Sequence, residues 1–188
     1  MVFQVLRNSA DIAAFIEGRA DMVRLLGVVA EQQLPDAWIG AGFVRNAVWD
    51  ALTGRSSGGL NDVDVVFFDR TDPSVERDLS IEARLVRALA DVPWSVKNQA
   101  RMHGRNGDAP YRDCVDAVAH WPETATAVAA RLSGGHVGLM APHGVTDLLG
   151  LIVRPTPAFA GKLTRYRARL QEKKWQARWP ELTLYDAP

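Results

Sequence analysis

Cysteine is nearly absent from this chain of 188 residues, Cys114 being the single one. A lone thiol permits no internal disulfide, and such usage fits a reducing interior. Also missing is any apolar run near the ~18–20 residues that a membrane-spanning helix requires. The first fifteen residues carry Asp11 and no long apolar stretch, so they do not read as a secretory leader. These absences give the expectation of a cytoplasmic protein with no membrane partner. Net charge is lacking too, since 22 Lys plus Arg oppose 22 Asp plus Glu. Zero balance argues against a chain that coats nucleic acid along its length, while leaving room for a charged pocket. Gly54 to Gly59 contains no Gly-Lys-Ser/Thr, so it is no P-loop. His103, His120, His136, His143 and Cys114 show no zinc-ligand spacing.

What the chain does have is apolar material, at 47% of its residues. That is ample for a core, and the length suits one domain spanning 1–188. Within it we distinguish a helical N-terminal segment (1–34), a catalytic-type core (36–101) and a mostly helical remainder (102–188). Apolar residues recur at helical spacing through 9–33, with Ser9 as a cap and Gly18 dividing two helices. Ala37-Trp38-Ile39 reads as a strand that runs into the turn Gly40-Ala41-Gly42, and 43–53 returns to helical spacing. Residues 54–61 read as a loop. Residues 62–69 are rich in β-branched and aromatic side chains and form the clearest strand. Asp72-Pro73 predicts a helix to about Asp91, Trp94 to Arg101 a second main strand, and 102–109 a polar loop. Helices are expected at 110–119, 122–132, 144–150 and 158–177, with a short strand at 136–140. The fold class is therefore α+β, a small mixed β-sheet flanked by helices.

Asp62 and Asp64 are the centre of the chemistry. Side chains two apart on a strand point the same way, so both carboxylates share a face. Close carboxylates repel unless neutralised, and a hard divalent cation does this while leaving positions open for substrate phosphates. An isolated Asp-x-Asp is usually just a polar strand entry. This one follows Gly40-Ala41-Gly42 by about twenty residues. Glycines between a strand and a helix let the backbone approach a phosphate, and the helix N-terminus offers unpaired N–H groups. Arg45 sits on the first turn of that helix, within reach of a triphosphate. A phosphate cradle plus a metal-holding pair is equipment for attack on a nucleotide phosphate. Gly40-x-Gly42 also opens a dinucleotide fingerprint, but Arg45 replaces its third glycine and the alternating strands of that fold are missing.

The segment IGAGFVRNAVWDALTGR followed by NDVDVVFF resembles the signature of the DNA polymerase β-like nucleotidyltransferases. GFVRNAVWD is similar to the Gly-x-Val-Arg-Asp segment of tRNA CCA-adding enzymes, with Gly42, Val44 and Arg45 matching and Asn46 replacing the aspartate. VKNQARMH, HWPETATAV and RPTP extend a closer resemblance, over most of the chain, to a small bacterial nucleotidyltransferase family. The resemblance implies the nucleotidyltransferase fold with helical additions at both ends. It implies Mg2+ (or Mn2+) held by Asp62 and Asp64, and an NTP seated on Gly40, Ala41, Gly42 and Arg45. It also implies a third carboxylate on a neighbouring strand. Here the strand at 94–101 offers Lys97, Asn98, Gln99 and Arg101 instead, and Asn98 is the residue we assign to that place, orienting a hydroxyl or ligating metal by its amide oxygen. Asp116 and Glu123 are alternatives arriving from helices. Each also reads as an ordinary helix acid.

The expectation is thus transfer of NMP from NTP to an acceptor, a small molecule favoured over protein or RNA. Its rival is a nucleotide-binding module that lost chemistry with the third carboxylate. Residues 162–178 hold seven basic side chains against Glu172, with Trp175 and Trp179 interleaved. Such a helix packs on the body, and it can also border an anion.

Overall fold

The computed structural model describes residues 5–56, 58–59 and 62–186. The expected loop at 54–61 therefore lies partly outside the described residues. Two short helices open the fold, α1 (Ser9–Glu17) and α2 (Ala20–Ala30), divided at Gly18 as the spacing implies. Asn8 rather than Ser9 is the cap of α1, its side chain accepting from the Asp11 N–H.

Five strands then form a mixed sheet in the order β3-β2-β1-β4-β5. They are β1 (Trp38–Gly40), β2 (Val63–Phe67), β3 (Trp94–Asn98), β4 (Ala129–Ser133) and β5 (His136–Met140). Within this sheet β2 and β3 alone run parallel, joined through α4 (Val75–Ala88), which is the crossover that parallel neighbours require. Ser74 caps α4, and Asp72 holds Ser74 instead of capping the helix itself. Strand partners place Trp38, Asp64, Val66, Ser95 and Lys97 on one face. Val63, Val65, Phe67 and Val96 take the other.

That second face is the larger core. It packs against α1, α2, α4 and α3 (Gly42–Leu52), and Trp49 of α3 meets Trp175 and Trp179 edge-on at 6.0 and 5.1 Å. The Asp64 face is covered in part by a smaller cluster of Trp38, Val66, Cys114, Val118 and Met140, brought by α6 (Cys114–Ala119). Cys114 is fully buried there, and burial pushes its thiol up, so it serves packing.

Three expectations fail in the second half. The loop at 102–109 contains α5 (Met102–Asn106). The helix expected at 122–132 is a turn followed by β4, because pairing with both β1 and β5 outweighs the helical preference of an alanine-rich segment. The terminal helix is broken into a 3-10 turn, α8 (Leu163–Lys173) and another 3-10 turn at Trp175–Ala177. Between β5 and α8 lie α7 (Thr146–Leu149) and β6 (Ile152–Val153), the latter pairing with β7 (Thr183–Leu184). No described helix is long and apolar enough to cross a membrane.

Candidate active site

The end of β1 turns into α3 through a strained residue. Ala41 has φ 52° and ψ −117°, a region that glycine enters freely and alanine does not. Its N–H donates to the Val128 carbonyl at 2.9 Å, and its carbonyl accepts the Arg45 N–H at 3.0 Å. The strain is thus held from both sides. Beyond Ala41, the amides of Gly42, Phe43 and Val44 precede the first intrahelical bond, which gives the turn its electropositive end.

The two glycines do different things. A Cβ on Gly42 would lie 3.3 Å from the Asn46 amide and 3.7 Å from the Arg45 guanidinium, so its absence opens the helix start. A Cβ on Gly40 would meet the ring of Trp121 at 2.5 Å. Gly40 is in β1, paired with Ala129, and makes room for an aromatic ring.

Arg45 is 7% exposed, folded inward instead of reaching freely into solvent. Its guanidinium stacks over Trp175 at 4.7 Å and Trp49 at 5.2 Å. It donates twice to Asn46 Oδ1, at 3.1 and 2.9 Å, and once to Thr126 Oγ1 at 2.9 Å. Three of its five N–H groups are spent, which leaves two for a ligand. Burial lowers its pKa to about 10, where it is still cationic at neutral pH. Asn46, standing where the resembled segment has aspartate, orients it by accepting both bonds at its single Oδ1.

Asp62, exposed, and Asp64, partly buried, lie just before and within β2. Burial, then the neighbouring charge of Asp62, pushes the Asp64 carboxyl above its ordinary range. Opposing this, the Ser95 hydroxyl donates to Asp64, and Lys173 and Arg169 of α8 lend positive charge. Trp175 and Trp179 pack in the core while Arg169 and Lys173 face the aspartates.

A cavity lies on each side of this pair. One, of about 600 Å³, is lined by Gly42, Arg45, Asn46 and Asp62, with Lys173, Lys174 and Arg178 opposite. The other, of about 330 Å³, is lined by Ala41, Asp64, Lys97, Arg105, Arg165 and Arg169 beside Trp121 and Phe159. Asp62 belongs to the first and Asp64 to the second.

Asn98 is not in this site. Register pairs it with Phe67, on the face opposite Asp64, where it is fully buried. Its amide oxygen accepts from the N–H groups of Asp69 and Ala100, and its nitrogen donates to the carbonyls of Asp69 and Asp72. It closes a turn. The strand positions that do face Asp64 carry Ser95 and Lys97, so β3 supplies no acid. Asp116 is held by Arg112, and Glu123, buried off any helix, pairs with Arg169 at 2.6 Å. Glu123 thus reaches the aspartates only through the arginine it fixes. Its other carboxylate oxygen has no hydrogen-bond partner among the described residues. His103 turns toward Tyr111, and His120 is the histidine that lines the smaller cavity. Ser95 and Lys97 follow by counting by two along β3 only once its register against Asp64 is known. Trp121 and Arg169 carried no such signal.

Comparison with known proteins agrees with this geometry. Residues 27–184 match a protein family described as nucleotidyltransferase. A protein whose NMR structure reveals a CCA-adding enzyme head domain is 34% identical, with TM-score 0.87, and covers 97% of this chain and 98% of its own. The Thermotoga maritima CCA-adding enzyme complexed with tRNA shares the fold at TM-score 0.57 and 16% identity, covering 95% of this chain but 42% of that one. A CCA-adding enzyme with CTP is similar at TM-score 0.55 and 13% identity, over 95% of this chain and 43% of the other. None of the curated proteins matches. With its five-stranded mixed sheet and Asp-x-Asp beside the turn into α3, the chain belongs to the nucleotidyltransferase family, of the DNA polymerase β-like superfamily.

Proposed function

We propose that the chain transfers NMP from an NTP to an acceptor hydroxyl, with a divalent cation held by Asp62 and Asp64. The observation that carries this reading is the aspartate pair standing between two basic cavities at the N-terminus of α3. The donor set fits Mg2+ (or Mn2+). Asp64, whose ionisation is disfavoured by burial and by the charge of Asp62, gains from a hard cation, and Mg2+ commonly takes only one or two protein carboxylates beside substrate phosphates. Bound there, it would offset their charge and polarise the α-phosphate.

The residues divide the remaining work. The amides at the start of α3 and the two spare N–H groups of Arg45 bind the triphosphate from the larger cavity. Asn46 and Thr126 keep Arg45 aimed. From the smaller cavity the acceptor hydroxyl attacks the α-phosphorus, the bridging bond to the β-phosphate breaks, and pyrophosphate leaves. With Ser95 and Lys97 in place of an acid, the hydroxyl proton passes to solvent. A small acceptor suits a space of about 330 Å³ better than a protein or an RNA does.

One observation favours a second reading. A β3 that presents serine and lysine to Asp64 fits a module that binds nucleotide without turning it over. Labelled NTPs offered with candidate acceptors separate the two, since only the transferase releases pyrophosphate. Asp64→Ala should abolish that release, and transfer that survives it overturns the metal assignment. Calorimetry that finds none of the four NTPs bound with Mg2+ overturns both readings.

A further inference from the structure

The smaller cavity is basic out of proportion to its size. Lys97 from β3, Arg105 from α5, and Arg165 and Arg169 from α8 line it, and its lining holds one acid, Asp64. Arg169 is committed to Glu123. Lys97, Arg105 and Arg165 have no carboxylate partner among the described residues. Lys97 Nζ donates only to the neighbouring Val96 carbonyl at 3.0 Å, and Arg165 rests over the Phe159 ring at 5.9 Å. Three separate elements thus bring unpaired cations to one small space. Like charges converging without counter-ions repel, and an anionic ligand relieves them.

We propose that this cavity is the acceptor subsite, and that the acceptor is a small phosphorylated molecule whose hydroxyl lies toward Asp64. The inference rests on the transferase reading above. The triphosphate has its own seat across the aspartates, at Gly42 and Arg45, so a second anion is the one these cations await. About 330 Å³ sits at the lower end of ligand pockets, enough for a sugar phosphate or a mononucleotide. Trp121 and Phe159 give the ligand apolar walls. Lys97 also explains the missing acid: a carboxylate on β3 would repel a phosphorylated acceptor, whereas a lysine draws it in. The reaction balances as written above, with the acceptor oxygen gaining the bond to the α-phosphorus that pyrophosphate gives up.

The test is an NMR titration of the full chain with ribose 5-phosphate, ribose, and Mg2+ with NTP, read at the tryptophan indoles. Ribose 5-phosphate should move Trp121 and leave Trp175 and Trp179 in place, and ribose should move none. The variant Lys97→Gln/Arg105→Gln/Arg165→Gln should weaken ribose 5-phosphate at least about tenfold and Mg–NTP by less than about threefold. Failure of ribose 5-phosphate to bind at millimolar concentration overturns the proposal. So does an equal loss for NTP, which would make the cavity the triphosphate's own seat. So does a 5′-phosphorylated RNA that binds where ribose 5-phosphate does not. If ribose 5-phosphate binds as expected but NTP binds nowhere, the transferase reading and the acceptor role fall, and the phosphate site stands.

Discussion

The two cavities beside the aspartates are both basic, yet Arg45 and Arg178 of the larger are held quite differently from Lys97, Arg105 and Arg165 of the smaller. In the larger one Arg45 is stacked between indoles, and Arg178 is locked onto Asp50, which also accepts from Trp179 Nε1 at 2.9 Å and the Gly58 N–H at 3.3 Å. In the smaller one Lys97, Arg105 and Arg165 have no such commitments. A cation bonded on several sides belongs first to the architecture, and removing it or its partner leaves buried charge uncompensated. A cation with no partner can be removed at little cost to the fold, because its work is with a ligand. Equal charge therefore says nothing about role until the partners are counted.

This contrast can be broken most severely at Asp50. Asp50→Ala leaves the buried Trp179 indole N–H without its acceptor and the solvent-exposed Arg178 without its partner, so we expect a loss of about 2–3 kcal/mol in urea unfolding. A loss under about 1 kcal/mol would show that the larger cavity is no more bonded than the smaller. Arg45→Gln keeps some polarity but loses the stacking and the two bonds to Asn46 Oδ1. It should cost about 2 kcal/mol and weaken Mg–NTP binding by at least about tenfold in calorimetry. Ala41→Gly should raise stability by up to about 1 kcal/mol, the relief of a positive φ exceeding the added freedom of the unfolded chain. Arg165→Gln, at the other extreme, should leave the unfolding midpoint within about 0.5 kcal/mol of wild type.

The smallest effect is one of pH, at Asp108. Hydrogen bonds from Lys162 and Tyr111 hold the Asp108 carboxyl below its ordinary range despite partial burial. A depressed carboxylate stabilises the fold above its unfolded pKa, and that contribution is lost as pH falls through the folded one. Asp108→Asn should therefore flatten the acid limb of a thermal-stability profile below about pH 4 and leave its shape near neutrality unchanged. A curve that keeps its acid slope would assign that slope elsewhere.

The contrast between the cavities was only half legible in the sequence. Alternation along Asp62 to Phe67 marked β2, its buried face and its paired carboxylates, and the glycines before Phe43 marked the helix start. Those are local patterns, and local physics governs them. The partner of each cation was not legible, because Asp50 and Arg178 meet across 128 residues and Glu123 and Arg169 across 46. Asn98 was misplaced for a related reason. Its residue type suited the site, but its face depended on the register of β3 against β2, which no single strand encodes. The helix expected at 122–132 failed in the same way, its alanines answering to β1 and β5 on either side.

The contact between Gly40 and Trp121 has an evolutionary consequence. The indole occupies the very space a methyl group at position 40 would take, although the two lie 81 positions apart in the chain. Gly40 cannot drift while the indole stays. Among descendants of this chain, any side chain at position 40 should arrive with a smaller residue at 121, and a tryptophan kept at 121 should hold its glycine across the sheet.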